Sequence, residues 1–124
     1  MNIMEIYRTK VRKVPGTNYK EIYKIAQIIY KTMISNPKRK PYVNSKYFDG
    51  QKVFLELFWA HLFDKNQSER LRRLKLFRMG VDLIINSLCS PTVKQNPNNN
   101  SEILYRFFGK SVDGDLFLVQ IKEV

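Results

Sequence analysis

Apolar side chains recur at helical spacing along two stretches of the chain. Asn18 and Glu21 have the separation of a capping box, so the first stretch predicts a helix over residues 19 to about 35. Its apolar face would hold Ile22, Ile25, Ala26, Ile29 and Met33. The second stretch predicts a longer helix over residues 69 to about 88, with Ser68 as its cap. Its apolar face would hold Leu74, Phe77, Val81, Ile84 and Leu88.

Alternation of apolar and polar side chains is clearest near the carboxyl end. Residues 103–108 and 116–122 are rich in β-branched and aromatic side chains. Asp113-Gly114 lies between the two runs and is typical of a tight turn, so the sequence predicts an antiparallel hairpin.

The second strand of this hairpin has one polar face. Gln120 and Lys122 lie opposite the apolar set formed by Phe117, Val119 and Ile121. The pairing register decides which side Arg106 of the first strand takes. If Arg106 lies on the same side as Gln120 and Lys122, the hairpin has a positive face that is rich in hydrogen-bond donors.

The remaining stretches have weaker patterns. Residues 1–14 fit both a helical stripe and a strand, and Pro15-Gly16 ends either element. Residues 36–50 are punctuated by proline and glycine and predict a loop. Residues 52–57 alternate and predict a short strand, which a helix over residues 58–63 would follow.

These elements predict an α+β fold in a single domain. Helices in the first two-thirds of the chain would pack on a small antiparallel β-sheet at the carboxyl end. The chain divides into a basic amino-terminal segment (1–14), a helical part (18–88), a mobile loop rich in Pro and Asn (90–101) and a β-hairpin (103–122). At 124 residues, of which 44% are hydrophobic, the chain is large enough to bury a core of its own.

The charge of the chain favours a polyanionic partner. There are 22 Lys and Arg against 11 Asp and Glu, which gives a formal net charge of +11. Residues 1–50 carry 11 of the basic side chains and 3 of the acidic ones, so most of the positive field arises there. Nucleic acid is the leading partner, because basic side chains that neutralise phosphates release counterions. An anionic membrane surface or an acidic protein would be attracted by the same charge.

Two basic segments are candidate phosphate-binding surfaces. The loop Lys38, Arg39 and Lys40 precedes aromatic residues that could stack on the bases of a single strand or fold back onto the core: Tyr42, Tyr47 and Phe48. The first half of the second helix is also strongly basic. It would either line a phosphate site or form an ordinary solvated face with Arg70, Arg72, Arg73 and Lys75.

One cysteine and one histidine exclude several kinds of site. Cys89 cannot form an internal disulfide, and with His61 alone it cannot build a zinc cluster. Neither a glycine-rich phosphate loop nor a metal-ligand spacing is present, so we expect no metal and no cofactor. Cys89 follows Leu88 in an apolar stretch and is expected to be a buried, unreactive thiol.

The sequence predicts neither a membrane span nor a secretory leader. The apolar run at residues 22–34 is interrupted by Lys24 and Lys31 and is too short to cross a bilayer. Residues 1–13 lack the unbroken apolar core of a signal peptide. We therefore expect a cytoplasmic protein.

Without metal ligands, the nuclease chemistry that remains is cleavage of RNA by its own 2′-hydroxyl. This reaction needs proton transfer and stabilisation of the negative charge that develops on the phosphate. His61 is the candidate for proton transfer, since histidine exchanges a proton most readily near neutral pH. A single histidine in an apolar run such as Phe58-Trp59-Ala60-His61-Leu62-Phe63 is, however, more often a buried neutral ring than a catalytic group.

The order of motifs over residues 47–122 resembles a known family. An apolar run leads into a helix that bears the histidine, Phe54-Leu55-Glu56-Leu57-Phe58-Trp59-Ala60-His61-Leu62. An Arg-rich helix passes Asp82-Leu83-Ile84 and ends before Ser90-Pro91. The strand pair then carries Leu104-Tyr105-Arg106-Phe107 and Phe117-Leu118-Val119-Gln120-Ile121-Lys122. This pattern is similar to the phage-associated nuclease modules of the barnase–EndoU–colicin E5/D–RelE-like superfamily.

The resemblance implies a metal-free ribonuclease that is related to toxins or phage proteins. By it, His61 matches the helix histidine, while Arg106 and Lys122 match polar positions on the sheet face that binds phosphate. The implied partners are RNA in preference to DNA, and an acidic antitoxin protein. Two alternatives remain open. One is a nucleic-acid-binding module without activity, and the other is a mobile-element-encoded protein whose basic face docks on an acidic partner.

Overall fold

A computed structural model describes residues 5–32 and 40–123 of the chain. These residues form three helices and six strands. In chain order they are β1 (Ile6–Arg8), α1 (Tyr19–Thr32), β2 (Tyr42–Ser45), β3 (Gln51–Phe54), α2 (Glu56–Leu62), α3 (Gln67–Asn86), β4 (Thr92–Gln95), β5 (Ile103–Lys110) and β6 (Leu116–Glu123). The α+β class is confirmed, and the helices precede the carboxyl-terminal strands β4, β5 and β6 of the main sheet as predicted.

Helix α3 lies in the middle of the molecule, because apolar side chains cover two of its faces. The predicted apolar face, including Leu74 and Phe77, packs against α1, α2 and β2. Met79 and Leu83 are also buried, and they pack against Phe107 of β5 and its neighbours in the sheet. The simple amphipathic helix expected from the sequence is therefore a central helix with a layer on each side.

Strand β5 is the centre of the main sheet. Strand β6 pairs antiparallel along one edge of β5. Strands β4 and β1 share the other edge: β4 pairs with residues 103–106 and β1 with residues 108–110. Because β1 runs parallel to β5, the sheet is mixed, and the expectation of a wholly antiparallel sheet is wrong. Within the described part of the amino-terminal segment, this pairing makes residues 6–8 a strand rather than a helix.

A second, two-stranded sheet has its first strand inside the stretch that was predicted to be a loop. Strand β2 pairs antiparallel with β3, and Asp49 and Gly50 in the turn between them have φ values of 56° and 83°. The loop prediction is therefore wrong for residues 42–45. The predicted strand over residues 52–57 is too long, because β3 ends at Phe54 and α2 begins at Glu56.

The helix caps confirm one prediction and correct another. Asn18 Oδ1 accepts a hydrogen bond from the Glu21 amide at 2.9 Å and begins α1 as predicted. The cap of α3 is Asn66 rather than Ser68, since Asn66 Oδ1 accepts from the Glu69 amide at 2.9 Å. At its other end α3 stops at Asn86, and Leu88 is 71% exposed rather than part of the apolar face.

The Pro- and Asn-rich segment at residues 90–101 also contains a strand that its composition concealed. Strand β4 pairs with β5 from Thr92, opposite Arg106, to Gln95, opposite Ile103. The side chains of β4 are exposed and bury almost no apolar surface. Because no face of β4 is buried, its sequence does not need the apolar and polar alternation by which strands are predicted.

Candidate nucleic-acid interface

The register of β5 and β6 places the three predicted polar residues of the hairpin on one side. Arg106 lies opposite Gln120, and its Nε donates a hydrogen bond to Gln120 Oε1 at 3.1 Å. Lys122 lies opposite Leu104, two residues before Arg106 on β5. Side chains of directly paired residues share a face, so Arg106, Gln120 and Lys122 do so here.

The neighbouring strands extend this face. Thr92 of β4 pairs with Arg106, and Lys94 pairs with Leu104. On the other part of the same edge, Arg8 of β1 pairs with Lys110. We call this face, which points away from α3, the outer sheet face. Its basic residues are Arg8, Lys94, Arg106, Lys110 and Lys122.

Sequence reasoning missed Arg8, Lys94 and Lys110 as members of this surface. Lys110 could have been recognised from the sequence. It follows Arg106 on the first hairpin strand at an even number of residues, and such positions share a face. Arg8 and Lys94 gave no such signal, because their membership depends on the pairing of β1 and β4 with β5.

Apolar side chains separate the cations on the outer sheet face. Phe108 lies opposite Leu118, and Leu118 is 52% exposed. Leu104 lies opposite Lys122. The inner face of the same strands is the one that packs on α3, through buried Phe107 and Phe117. The outer face therefore combines positive charge with accessible apolar surface.

Acidic side chains neutralise little of this charge. Lys122 Nζ lies 3.0 Å from a carboxylate oxygen of Glu102, whose side chain is largely buried. Arg106 contacts the neutral amide of Gln120. Across residues 5–32 and 40–123, no carboxylate lies within ion-pair distance of Arg8, Lys94, Arg106 or Lys110.

A basic cleft of about 470 Å³ lies beside this sheet, between the first half of α3 and the β5–β6 turn. Its cationic walls are Lys13, Arg72 and Lys75, and its apolar lining is Leu71, Leu76 and Leu116. The Val14 amide donates to the Lys75 carbonyl at 3.0 Å, which holds the amino-terminal segment against α3. Asp115 pairs with Lys13 at 2.6 Å and Glu69 with Arg72 at 3.0 Å, so Lys75 is the cation of the cleft that has no carboxylate partner in the described ranges.

The basic residues predicted on α3 have different roles. Arg72 and Lys75 line the cleft. Arg73 shares Glu69 with Arg72 and lies outside the cleft lining. Arg70 is a structural residue, since it donates to the carbonyls of Phe63 and Lys65, both at 2.7 Å. Its guanidinium also lies over the ring of Phe63, 5.4 Å from the centroid.

His61 lies on the surface of α2, with its side chain 66% exposed and its Nδ1 3.4 Å from Asp64. The ring is therefore not the buried side chain that its apolar neighbours allowed. Trp59 and Leu62 of the same helix pack into the core on the α1 side of α3. Arg106 and Lys122 point outward from the sheet on the other side of α3. The structure does not bring His61 together with these two residues.

The basic and aromatic residues that were predicted to form one loop surface lie in different places in the structure. Tyr47 and Phe48 fold back onto the sheet, with ring centroids 5.3 Å from Phe107 and 4.9 Å from Tyr105 respectively. Lys40 is the first residue of the second described range, and its Nζ lies 3.2 Å from Glu56 Oε1. Lys38 and Arg39 lie outside the described residues.

Burial affects the groups that adjoin β1. The pKa of Tyr7 is raised to about 12, chiefly by desolvation and also by its hydrogen bond to Asp82. Cys89 is a partly exposed free thiol, which corrects the expectation of full burial.

Among the residues that the structure describes, no group of three or more His, Cys, Asp or Glu could hold a metal ion. None of the described helices has both the length and the apolar character to cross a membrane.

Comparisons with known proteins add no further information on function. The sequence matches no protein-family model, and neither the curated proteins nor the solved structures contain a significant match to it.

Proposed function

We propose that this protein binds single-stranded RNA through the outer sheet face. The observation that carries the proposal is the register of the sheet, which gathers five basic side chains on one exposed face. Four of the five have no carboxylate partner in the described residues, so their charge is available to phosphates. Such contacts release counterions and give affinity that does not depend on base sequence.

The apolar residues between the cations favour a single strand over a duplex. Phe108, Leu104 and Leu118 offer uncharged surface next to Arg106 and Lys122. Unpaired bases can lie on such a surface, whereas the bases of a duplex are stacked inside the helix. RNA is the preferred partner because its loops and single-stranded segments commonly present unstacked bases to proteins.

The basic cleft supplies a second group of contacts of the same kind. Lys75 and Arg72 would meet a phosphate, while Leu71, Leu76 and Leu116 accept an apolar group such as a base. An acidic protein would also be attracted by these cations, and it remains the alternative partner.

RNA cleavage is the less supported function, because its candidate for proton transfer lies apart from its two candidates for phosphate binding. General acid–base catalysis requires the proton-transfer group to reach the reacting oxygen directly or through one water. His61 lies on the helix side of the molecule, and Arg106 and Lys122 lie on the outer sheet face. The ribonuclease activity that the resemblance implies is thus a separate hypothesis. The binding experiment can test it by checking whether the RNA stays intact.

A charge-matched pair of double variants tests the proposal. K94A/R106A removes two cations from the outer sheet face, and K20A/K24A removes two exposed cations from α1. Affinity for a labelled, unstructured oligoribonucleotide is measured by fluorescence anisotropy over a range of salt concentrations. The sheet variant should lower the salt slope by about 1.4, since each lost phosphate contact contributes about 0.7 for single strands. The α1 variant should leave the slope nearly unchanged.

Two outcomes would overturn binding through this face, and a third would show catalysis in addition. Equal losses in both double variants would mean that the overall charge, rather than the sheet, attracts RNA. Absence of RNA binding would favour the acidic protein partner. RNA incubated in EDTA should remain intact, and cleavage with 2′,3′-cyclic phosphate ends that H61A abolishes would instead identify an enzyme.

A further inference from the structure

The β2–β3 hairpin has an exposed face on which two aromatic rings meet. Tyr42 pairs with Phe54, and Asn44 pairs with Lys52, so these four side chains share one side. The opposite side of the hairpin contributes Val43 and Val53 to the core. Tyr42 and Phe54 are therefore not needed to close the core, and Phe54 remains 53% exposed.

The geometry of this face resembles a platform rather than a buried cluster. The ring centroids of Tyr42 and Phe54 are 6.0 Å apart, with the rings tilted edge to face. Lys52 Nζ lies over the Tyr42 ring, 4.6 Å from its centroid. Together with Lys40, these three residues line an open cleft of about 280 Å³. The cleft thus combines two rings with two cations.

We propose that this cleft is a base-stacking site for the same single-stranded RNA, and the proposal rests on the function proposed above. One base would stack on the face of the exposed Phe54 ring, with Tyr42 edge-on beside it, and Lys52 would meet the adjoining phosphate. Charge complementarity supports this occupant: Lys40 is paired with Glu56, whereas no carboxylate of a described residue pairs with Lys52. Rings flanked by cations are the usual arrangement for binding a single strand without sequence preference.

The hairpin and the outer sheet face would contribute different parts of the affinity. The sheet face carries five cations and one aromatic ring, Phe108, so its contribution falls as salt rises. The hairpin carries two rings, whose stacking on a base depends little on salt. The two contributions can therefore be measured separately.

The test uses a double variant, Y42L/F54L, that removes the rings and leaves an apolar side chain at each position. Its affinity is measured for an unstructured oligoribonucleotide and for an abasic oligonucleotide of the same length, which retains the phosphates and lacks the bases. The variant should bind the base-bearing strand about fivefold to a hundredfold more weakly, the range expected for loss of one stacked base. Its salt slope and its affinity for the abasic strand should not change.

Two controls keep the result specific. I28A removes an exposed apolar side chain of similar accessibility, 55%, from α1 and should leave both affinities unchanged. F54W keeps an aromatic ring at position 54 and adds a fluorophore. Its emission, corrected for Trp59, should be quenched by the base-bearing strand and not by the abasic strand. Circular dichroism and thermal unfolding establish that each variant is folded.

The outcomes separate this proposal from the one on which it rests. If Y42L/F54L binds both strands like the unmodified protein while K94A/R106A is impaired, the stacking site is wrong and the sheet interface stands. Equal weakening on base-bearing and abasic strands would also overturn stacking. If the unmodified protein binds no RNA, or if polyglutamate alone binds in a manner that depends on Tyr42 and Phe54, both proposals fail.

Discussion

The hydroxyl of Tyr7 donates a hydrogen bond to Asp82 Oδ2 at 2.8 Å and joins β1 to α3 across 75 residues of sequence. The hydroxyl of Thr9 donates to the same oxygen at 2.7 Å, and Asn86 donates to Asp82 Oδ1 at 2.8 Å. Arg8 lies between Tyr7 and Thr9, so this network holds β1 in the position that presents Arg8 on the outer sheet face. A carboxylate that accepts three donors is a strong local constraint.

We expect D82A to lower the free energy of unfolding by about 1–3 kcal/mol, because it leaves the buried Thr9 hydroxyl without its acceptor. Urea unfolding measures the change. D64A is the matched control, since Asp64 is 73% exposed and its loss should change stability by no more than about 0.5 kcal/mol. Equal effects of the two substitutions would show that the network contributes little.

The raised pKa of Tyr7 predicts a loss of stability at high pH. Its pKa is about 12 in the folded protein against an ordinary value of 10.0. Below pH 10 the phenol is neutral in both states, so its contribution is fully present. Between about pH 10 and 12 the unfolded chain ionises first, and stability falls as pH rises. Unfolding measured across this window should show a shallower decline in Y7F, and an unchanged decline would contradict the assignment.

Two glycines should respond oppositely to a methyl group. At Gly109 a Cβ would lie 2.2 Å from Cζ of the buried Phe117 ring, so G109A should lower stability by about 1–3 kcal/mol or more. At Gly80, inside α3, the nearest atom to a Cβ would be a Val119 methyl at 3.5 Å. G80A should therefore be neutral or raise stability by up to about 1 kcal/mol through helix propensity. Thermal unfolding of both variants checks the contrast, and similar shifts in the two variants would contradict it.

Two neighbouring arginines of α3 should separate stability from RNA binding. R70A removes the donors to the Phe63 and Lys65 carbonyls and should lower stability by about 1–2 kcal/mol, with little effect on the salt slope of RNA binding. R72A breaks an exposed ion pair worth less than about 1 kcal/mol and should instead lower that slope by about 0.7. Chemical unfolding and anisotropy titrations measure the two quantities. The reverse pattern would place the phosphate contact at Arg70.

The sequence predicted an element correctly where that element depends only on residues that are close together in the chain. The Asn18 cap, the start of α1 and the hairpin around Asp113-Gly114 follow from side chains within a few positions of one another. The register of this hairpin was left open by the sequence. The structure sets it by pairing Arg106 with Gln120, which places the two side chains on one face.

The patterns in the sequence did not predict which strands pair across long distances in the chain. Strands β1 and β4 are short and expose much of their surface, so their place beside β5 depends on backbone partners many residues away. The second buried face of α3, at Met79 and Leu83, exists because the sheet packs there. The sequence by itself determined the class of fold, the strong elements and the excess of positive charge. The tertiary structure decided which cations share a face and which aromatic residues stay exposed, and it separated His61 from Arg106, because strand pairing and layer packing set those distances.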